Sequence, residues 1–309
     1  MKVLLTGGAG FMGSQLTRTL VGAGCDVTVL DCLSYAGRRQ HLEGVPCELI
    51  VGDVCDSQAV GLAMKNAELV IHAAAESHVA RSLKAPSDFI RTNITGTHVV
   101  LEAARQQKVD RFLYISTDEV FGSAPPGIAF DIDAPMRPGN PYAASKVGGE
   151  ALVHAWRHSF GYPASIVRCT NNYGPRQHPE KAIPCWTIAA ASGGSIPVHG
   201  DGLAIRDWLF VEDFCRGILA AVNSWRPAAT WHFAGQQHRQ NRFIAQQIST
   251  MFGGVALSFG PDRQGQDARY SLDDARTRQE LSWSPQVSLL SGLEQTVAWY
   301  QEHGSRAWS

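Results

Sequence analysis

The sequence predicts an α/β protein built on a doubly wound parallel sheet, with a smaller C-terminal lobe. Two observations lead there. Through the first half of the chain, short β-branched runs alternate with helical stretches, and the runs are apolar on both faces, as burial between two helical layers requires. A glycine-rich turn follows the first run and opens a helix, and an acid closes the second.

In chain order, Lys2 to Leu5 reads as the first strand, with a helix from about Met12. Asp26 to Leu30, Cys47 to Val51, Glu68 to His72 and Arg111 to Ser116 read as strands two to five. Helical stretches lie between them, notably Asp88 to Gln107. After about Val167 the rhythm changes: Gly, Pro and aromatic residues crowd NNYGPRQHPEKAIP and PVHGDGLAIRDW, which read as loops and short strands around a pocket.

Composition narrows the partners. The chain has 309 residues, a formal net charge of -1 and 18% charged residues, which gives no global argument for nucleic acid or an anionic membrane. The apolar run in MKVLLTGGAGF is too short for a signal-peptide core, and no stretch reaches bilayer length, so a soluble, cytoplasmic location is expected. Seven cysteines, an odd number without a CxxC pair, argue against a disulfide framework or a zinc site, and no metal is expected.

The glycines of the turn stand at Gly7, Gly10 and Gly13, with Phe11 and Met12 opening the helix. Glycine suits a tight turn and the places where a Cβ would strike a pyrophosphate or the sheet, and the helix N-terminus offers unpaired N–H groups to phosphates. Asp31, just after DVTVL, can accept from both ribose hydroxyls and would repel a 2′-phosphate, which favours NAD over NADP; a plain turn-starter is the bland alternative. Asp53 in GDV, followed by Val54, can meet the adenine amino group or cap the helix that follows. Small residues Ala73 to Ala75 after strand four allow close approach of a flat cofactor, or simply tight packing. Residues 1–168 are therefore expected to form an NAD-binding domain carrying the catalytic residues. Residues 169–309 are expected to form mainly the substrate-binding lobe, with some segments returning to the first domain.

Tyr142 and Lys146 are spaced i, i+4 in the helical stretch NPYAASKVGGEAL, on one face. A neighbouring ammonium favours the phenolate, so the pair can take a proton from a sugar hydroxyl, and Lys146 can also hold a ribose. Thr117, Asp118 and Glu119 end strand five, where the ligand crevice of such a sheet lies. Thr117 can hydrogen-bond the same sugar oxygen as Tyr142. Adjacent acids are not needed for simple dehydrogenation, but water elimination needs one base for the carbon acid and one acid for the leaving hydroxyl. The bland reading is a solvated acidic turn.

These segments resemble the dTDP-glucose 4,6-dehydratases of the extended short-chain dehydrogenase/reductase superfamily, a Rossmann-like fold. The likeness runs nearly end to end through TGGAGFMGS, DCLSYAG, GDV, HAAAESHVARS, NITGT, STDEVFG, PYAASK, NNYGP, HPEKAIP, GDGLAIRDWLFVED and RYSLD. It implies that Tyr142 deprotonates the C4 hydroxyl while hydride passes to NAD, that Glu119 removes the C5 proton, and that Asp118 protonates the departing C6 hydroxyl. It also implies diphosphate contacts from Asn172 and Arg206, contacts on the hexose and phosphate side from Glu180 and Lys181, a nucleotide end completed by Asn241 and Arg263, and a substrate contact from Ser77. For Arg206 a structural ion pair is the alternative. A homodimer joined by the helix after strand four and the helix of Tyr142 and Lys146 is implied as well. Ala80, Arg176, Phe214, Gln266 and Ala268 depart from the family's usual residues; Arg176 is a candidate replacement charge at the nucleotide end. Rival readings are a 4-epimerase or decarboxylase on the same scaffold, and an NAD-binding sensor without turnover.

Overall fold

A computed structural model describes residues 1–304; positions 305–309, the end of the expected C-terminal lobe, lie outside the described residues. The first half runs β1 (Lys2–Thr6), α1 (Phe11–Gly22), β2 (Asp26–Asp31), β3 (Glu48–Val51), α2 (Ser57–Ala63), β4 (Leu69–His72), α3 (Val79–Lys84), α4 (Pro86–Ile90), α5 (Thr97–Gln106), β5 (Arg111–Thr117), α6 (Pro141–Phe160) and β6 (Ala164–Cys169). The second half adds β7 (Asn171–Tyr173), α7 (Ala182–Ala191), β8 (Ile196–His199), β9 (Ile205–Phe210), α8 (Val211–Asn223), β10 (Thr230–Phe233), β11 (His238–Gln240), α9 (Asn241–Met251), β12 (Leu257–Gly260), α10 (Ala275–Leu281) and α11 (Leu289–His303).

Seven strands form one parallel sheet in the order β10-β6-β5-β4-β1-β2-β3. The order reverses between β1 and β4, and the crevice at such a switch point is where doubly wound sheets bind ligands. The two-sided burial is visible residue by residue. Val3 and Leu5 of β1 face the layer holding Leu16 and Leu20 of α1 and Phe214 and Ile218 of α8. Leu4, between them, faces Val100 and Leu101 of α5 and Val153 of α6. The period-two side-chain alternation of a strand thus feeds both layers at once. A separate core joins α7, α9 and α11 through Trp186, Ile244 and Leu293.

The helix expected over Asp88 to Gln107 is helical but not continuous. Between α4 and α5 the turn Arg91–Gly96 widens to π geometry. There the buried Asn93 side chain leaves the helix ladder: its oxygen accepts from Glu76 N–H (2.9 Å), and its amide donates to the Glu76 carbonyl (3.0 Å) and Ser145 Oγ (2.8 Å). Wide turns of this kind recur where a helix must aim a side chain at a neighbouring segment, and here the segment is the cleft wall after β4.

Candidate active site

Residues from both halves line one cleft of about 480 Å³ along the carboxyl edge of the sheet. Its wall includes Gly7, Gly10, Phe11, Met12, Gly13, Asp31, Asp53, Val54, Ala73, Ala75, Ser77, Thr117, Asp118, Glu119, Tyr142, Lys146, Asn172, Glu180 and Lys181.

At one end, Gly7 adopts φ +73°, which favours glycine, and a Cβ on it would come 2.7 Å from the Ala74 backbone. A Cβ on Gly13 would collide with the Gly7 carbonyl oxygen. The small residues after β4 therefore serve tight packing and still wall the cleft. Asp31 ends β2 with its carboxyl oxygens accepting from the N–H groups of Ala9 (2.9 Å) and Leu33 (2.8 Å). Burial raises its pKa, and those two backbone bonds partly offset the rise. A glycine cradle at a helix N-terminus, with a carboxylate beyond it, fits the pyrophosphate and ribose of NAD. Asp53 does not cap the following helix. Asp56 does so, accepting from Gln58 and Ala59, while Asp53 accepts from Cys55 N–H (2.8 Å) and pairs with Arg91 (2.6 Å).

At the other end, α6 is positioned by its N-cap. Asn140 accepts from Ala143 N–H (2.9 Å), and Pro141 follows it at the first helical position. The Asn140 amide donates to Glu119 Oε2 (3.3 Å), tying the start of this helix to the end of β5. Tyr142 and Lys146 are 8% and 3% exposed, one turn apart.

The expected depression of the phenol by Lys146 is not what the structure shows. Burial, then the Glu119 charge, push Tyr142 well above its ordinary value, and contact with the Thr117 hydroxyl only partly opposes them. Lys146 instead donates to the Ile115 carbonyl oxygen (2.6 Å) and lies 4.2 Å from the Tyr114 ring centroid. Burial lowers its pKa to about 8 against the pull of Glu150. Both nitrogens of His72, a buried residue not singled out from sequence, meet hydroxyls, Thr6 Oγ1 (2.7 Å) and Thr97 Oγ1 (3.0 Å). Burial and then the Lys146 charge lower its pKa to about 3, so it stays neutral beside the site.

The adjacent acids have different surroundings. Asp118 is 3% exposed; one oxygen accepts from the Thr117 hydroxyl (3.1 Å) and the other has no hydrogen-bond partner. Burial and the Glu119 charge push its pKa well above the usual carboxylate range, which favours the protonated acid. Burial raises Glu119 too, but Lys181, the Asn140 hydrogen bond and Arg206 pull it back. One carboxyl is thus built to hold a proton and its neighbour to take one.

Farther out, Tyr35 donates to Glu180 Oε1 (2.9 Å), His78 lies 3.1 Å from Glu180 Oε2, and Lys181 donates to the Ser77 carbonyl (2.7 Å). Asn172 donates to the Thr170 carbonyl (3.1 Å), and its own oxygen is unpartnered. Arg206, Asn241 and Arg263 do not line the cleft. Arg206 donates to the Ile205 carbonyl and stacks over Tyr270 at 4.5 Å, though its charge reaches Asp118 and Glu119. Asn241 begins α9, its N–H on the Ala204 carbonyl, and Arg263 stands by Asp262 and Cys185. Arg176 is no replacement charge at the nucleotide end: its guanidinium meets Gln15 of α1 (2.5 Å). Phe214 is core, 6.0 Å from Phe233. Ala80 lies in α3, Gln266 contacts Asp262, and the Ala268 carbonyl accepts from Ile205 N–H. Among the described residues no group of His, Cys, Asp and Glu could hold a metal ion, and no helix is long and apolar enough to cross a membrane.

A parallel sheet with a glycine cradle at β1, an acid at β2 and a Tyr–Lys pair beside β5 defines the nicotinamide-dependent short-chain dehydrogenase/reductase class. Residues 3–233 match the NAD dependent epimerase/dehydratase family, and the chain belongs to that family, in its dTDP-glucose 4,6-dehydratase branch. A dTDP-glucose 4,6-dehydratase of Streptomyces niveus is 42% identical, the match covering 100% of this chain and 94% of that protein. DesIV, a dTDP-glucose 4,6-dehydratase from Streptomyces venezuelae solved with NAD bound, superposes with a TM-score of 0.96 at 38% identity, over 100% of this chain and 99% of that one. The scaffold is shared more widely: a UDP-glucose 4-epimerase of Thermotoga maritima gives 0.92 at 27% identity, over 98% and 99%.

Proposed function

We propose that the chain is an NAD-dependent lyase that converts dTDP-glucose to the 4-keto-6-deoxy sugar nucleotide by C4 oxidation, loss of water across C5 and C6, and reduction at C6. The observation that carries this reading is the pair Asp118 and Glu119, one environment favouring the protonated acid and the other offset by cations, in the cleft that holds Tyr142 and Lys146.

NAD, when bound, supplies a hydride acceptor for C4, the same hydride for C6, and a positive ring that favours the Tyr142 phenolate. Tyr142 takes the C4 hydroxyl proton, with Thr117 on the same oxygen and Lys146 supplying positive charge from the next turn of the helix. The ketone formed at C4 acidifies C5, and Glu119 removes that proton. Asp118, whose surroundings favour the protonated acid, gives its proton to the departing C6 hydroxyl. Asn172, Ser77, Glu180 and Lys181 hold the sugar diphosphate. Arg206 joins Asn172 on the diphosphate, and Asn241 and Arg263 complete the nucleotide end, although Arg206, Asn241 and Arg263 do not line the cleft. Residues 1–168 hold the cofactor and the reacting groups, and 169–309 supply most substrate contacts.

A homodimer in the cytoplasm belongs to the same reading. Support for the dimer is an exposed aromatic at the end of α6: Phe160 is 53% exposed, packs against the partly buried Trp156 at 5.4 Å, and carries Arg105 of α5 over its ring at 4.8 Å.

The test is turnover of dTDP-glucose and UDP-glucose in deuterated buffer. Dehydration predicts solvent deuterium at C5 and migration of the C4 hydrogen to C6 within one molecule. A product that keeps its C6 hydroxyl would point to epimerisation and sink the reading; bound NAD without any turnover would favour a sensor. Tyr142→Phe should block the first hydride transfer, and ready reduction of its bound NAD on mixing with substrate would contradict the role of the phenol.

A further inference from the structure

Tyr270 ends the strip ARY just before β-bridge residue Leu272 and is 4% exposed. Its hydroxyl lies 3.2 Å from Glu119 Oε2 and 2.9 Å from Asp267 Oδ2. A phenol has one proton and here faces two carboxyl groups, so it can donate to only one of them at a time. The other contact is favourable only if that carboxyl group carries a proton and donates to the phenol oxygen. The three groups therefore have two hydrogen-bond arrangements that differ by the position of protons, and no step above uses either.

We infer that Tyr270 and Asp267 form a proton relay between Glu119 and solvent, serving the C5 step of the dehydration proposed above, on which this inference rests. The C5–H bond breaks, its proton goes to Glu119, and the electron pair stays on the carbon beside the C4 ketone. A half-turn of the carboxyl group brings the proton to the Tyr270 side. Glu119 then passes a proton to the phenol oxygen as the phenol proton moves to Asp267, and Asp267 releases one to water. The reverse sequence brings a solvent proton back to C5 in the last step. Protons alone move, and no oxidant or reductant is required.

The placement of the groups suits this path. Asp267 is half-buried in a loop whose neighbours Gln264, Gly265 and Ala268 are exposed, so the chain of groups runs from the cleft to the surface. Gly139 leaves room beside it: a Cβ there would come 3.2 Å from Asp267 Oδ1. Asn140 donates to the same Glu119 oxygen that faces Tyr270, so one carboxyl oxygen sits on the relay side of Glu119. The Arg206 guanidinium over the Tyr270 ring holds the ring in place, and its positive charge offsets negative charge on the carboxyl groups that face the phenol. Lys181 supplies a further positive charge near Glu119.

The experiment follows dTDP-glucose deuterated at C5 through the NAD-loaded enzyme in ordinary water, and reads deuterium left at C5 of the product. The unmodified enzyme should wash the label out. Tyr270→Phe keeps the ring and removes the relay, so the proton stays on Glu119 and returns to the carbon it left; most of the label should be retained. Asp267→Asn keeps the Tyr270 hydroxyl and should retain label as well, and it decides the matter alone if the phenylalanine variant does not fold. A merely structural role for either residue would lower the rate without moving label retention. Washout in Asp267→Asn as complete as in the unmodified enzyme overturns the relay, as does label retention by the unmodified enzyme. Failure of the unmodified enzyme to make any 4-keto-6-deoxy product is a different result, and would remove the dehydratase reading itself.

Discussion

Lys146 donates an ammonium hydrogen to the Ile115 carbonyl at 2.6 Å, so the cation in the cleft is anchored to the strand that ends at Thr117, just before Asp118 and Glu119. Its pKa falls from an ordinary 10.5 to about 8, burial outweighing the pull of Glu150. A cation whose folded pKa lies below its unfolded value binds fewer protons in the native state between those two values. Stability contributed by this group therefore rises as pH climbs from about 8 toward 10.5. Under the proposed mechanism activity moves the other way, because that mechanism uses the charged form of Lys146. The kcat/KM profile should fall on its alkaline side near pH 8, and Lys146→Arg, which keeps its charge, should push that limb upward. A profile flat beyond about pH 9.5 in the unmodified enzyme, about 1.5 pH units above that value, would count against it.

The division of labour between Asp118 and Glu119 gives a second expectation. Glu119→Gln removes the acceptor for the C5 proton but keeps Tyr142 and Lys146 in place, and loss of its charge only favours the Tyr142 phenolate. It should stall after C4 oxidation, lowering kcat by about 10²–10⁴-fold while the absorbance of reduced nicotinamide builds up in the protein. Asp118→Asn removes the donor to the leaving hydroxyl. It should lower kcat by a similar factor, and C5 exchange with solvent should persist, because Glu119 still works. Normal turnover in the first variant, or loss of exchange in the second, would mean the two roles are misassigned.

Much of this site could be read from residue order because its chemistry is local. The turn at Gly7 to Gly13, the acid Asp31 and the i, i+4 pair Tyr142 and Lys146 each owe their meaning to neighbours a few positions away. Long-range placement was harder to see. Tyr270 and Asp267 are 151 and 148 positions from Glu119, and nothing near them in sequence signals that they meet it. Asn140 gave a signal that was passed over: Asn before Pro at a helix start marks a cap, and this cap also reaches Glu119. The phenol of Tyr142 was misjudged because helical spacing shows who shares a face but not where an ammonium is tethered; the Ile115 carbonyl takes Lys146. Arg176 was misread for a similar reason, since its positive φ of 68° turns the chain so that the guanidinium meets α1.

The cofactor end yields a third expectation. Gly13 lies where α1 passes over the Gly7 carbonyl, and an added Cβ has nowhere to go without moving that turn. Gly13→Ala should shift the N–H groups of the helix start away from the pyrophosphate, so the purified variant should carry much less NAD than the unmodified protein. Its thermal unfolding in the presence of excess NAD should also lose most of the ligand-induced shift. Gly22, on the same helix, has no atom within 4 Å of an added Cβ and provides the control: Gly22→Ala should retain NAD fully. Equal NAD content in both variants would show that the close approach at Gly13 is not what shapes the cradle.

The last expectation concerns what holds α6 against the sheet. Glu150 is fully buried and Arg168 of β6 is 2% exposed; the guanidinium grips the carboxylate through Nε at 3.0 and 3.1 Å and through a second nitrogen at 2.7 Å. The remaining nitrogen donates to the Ile132 carbonyl at 2.9 Å and lies 3.2 Å from His232 Nε2, and the Phe121 ring lies 4.8 Å from the guanidinium. Such a pair is costly to bury and more costly to break, because removing one partner strands the other charge without water. Glu150→Gln should lower stability by about 3–5 kcal/mol in denaturant unfolding. The double variant Glu150→Leu, Arg168→Met should lose far less, since it strands no charge. Glu150 is also the group that raises the Lys146 pKa against burial. In Glu150→Gln the alkaline limb of kcat/KM should therefore move below its position in the unmodified enzyme, an effect that loss of stability alone does not produce. An unmoved limb together with the expected destabilisation would confine Glu150 to holding the helix and leave Lys146 to be tuned by burial alone.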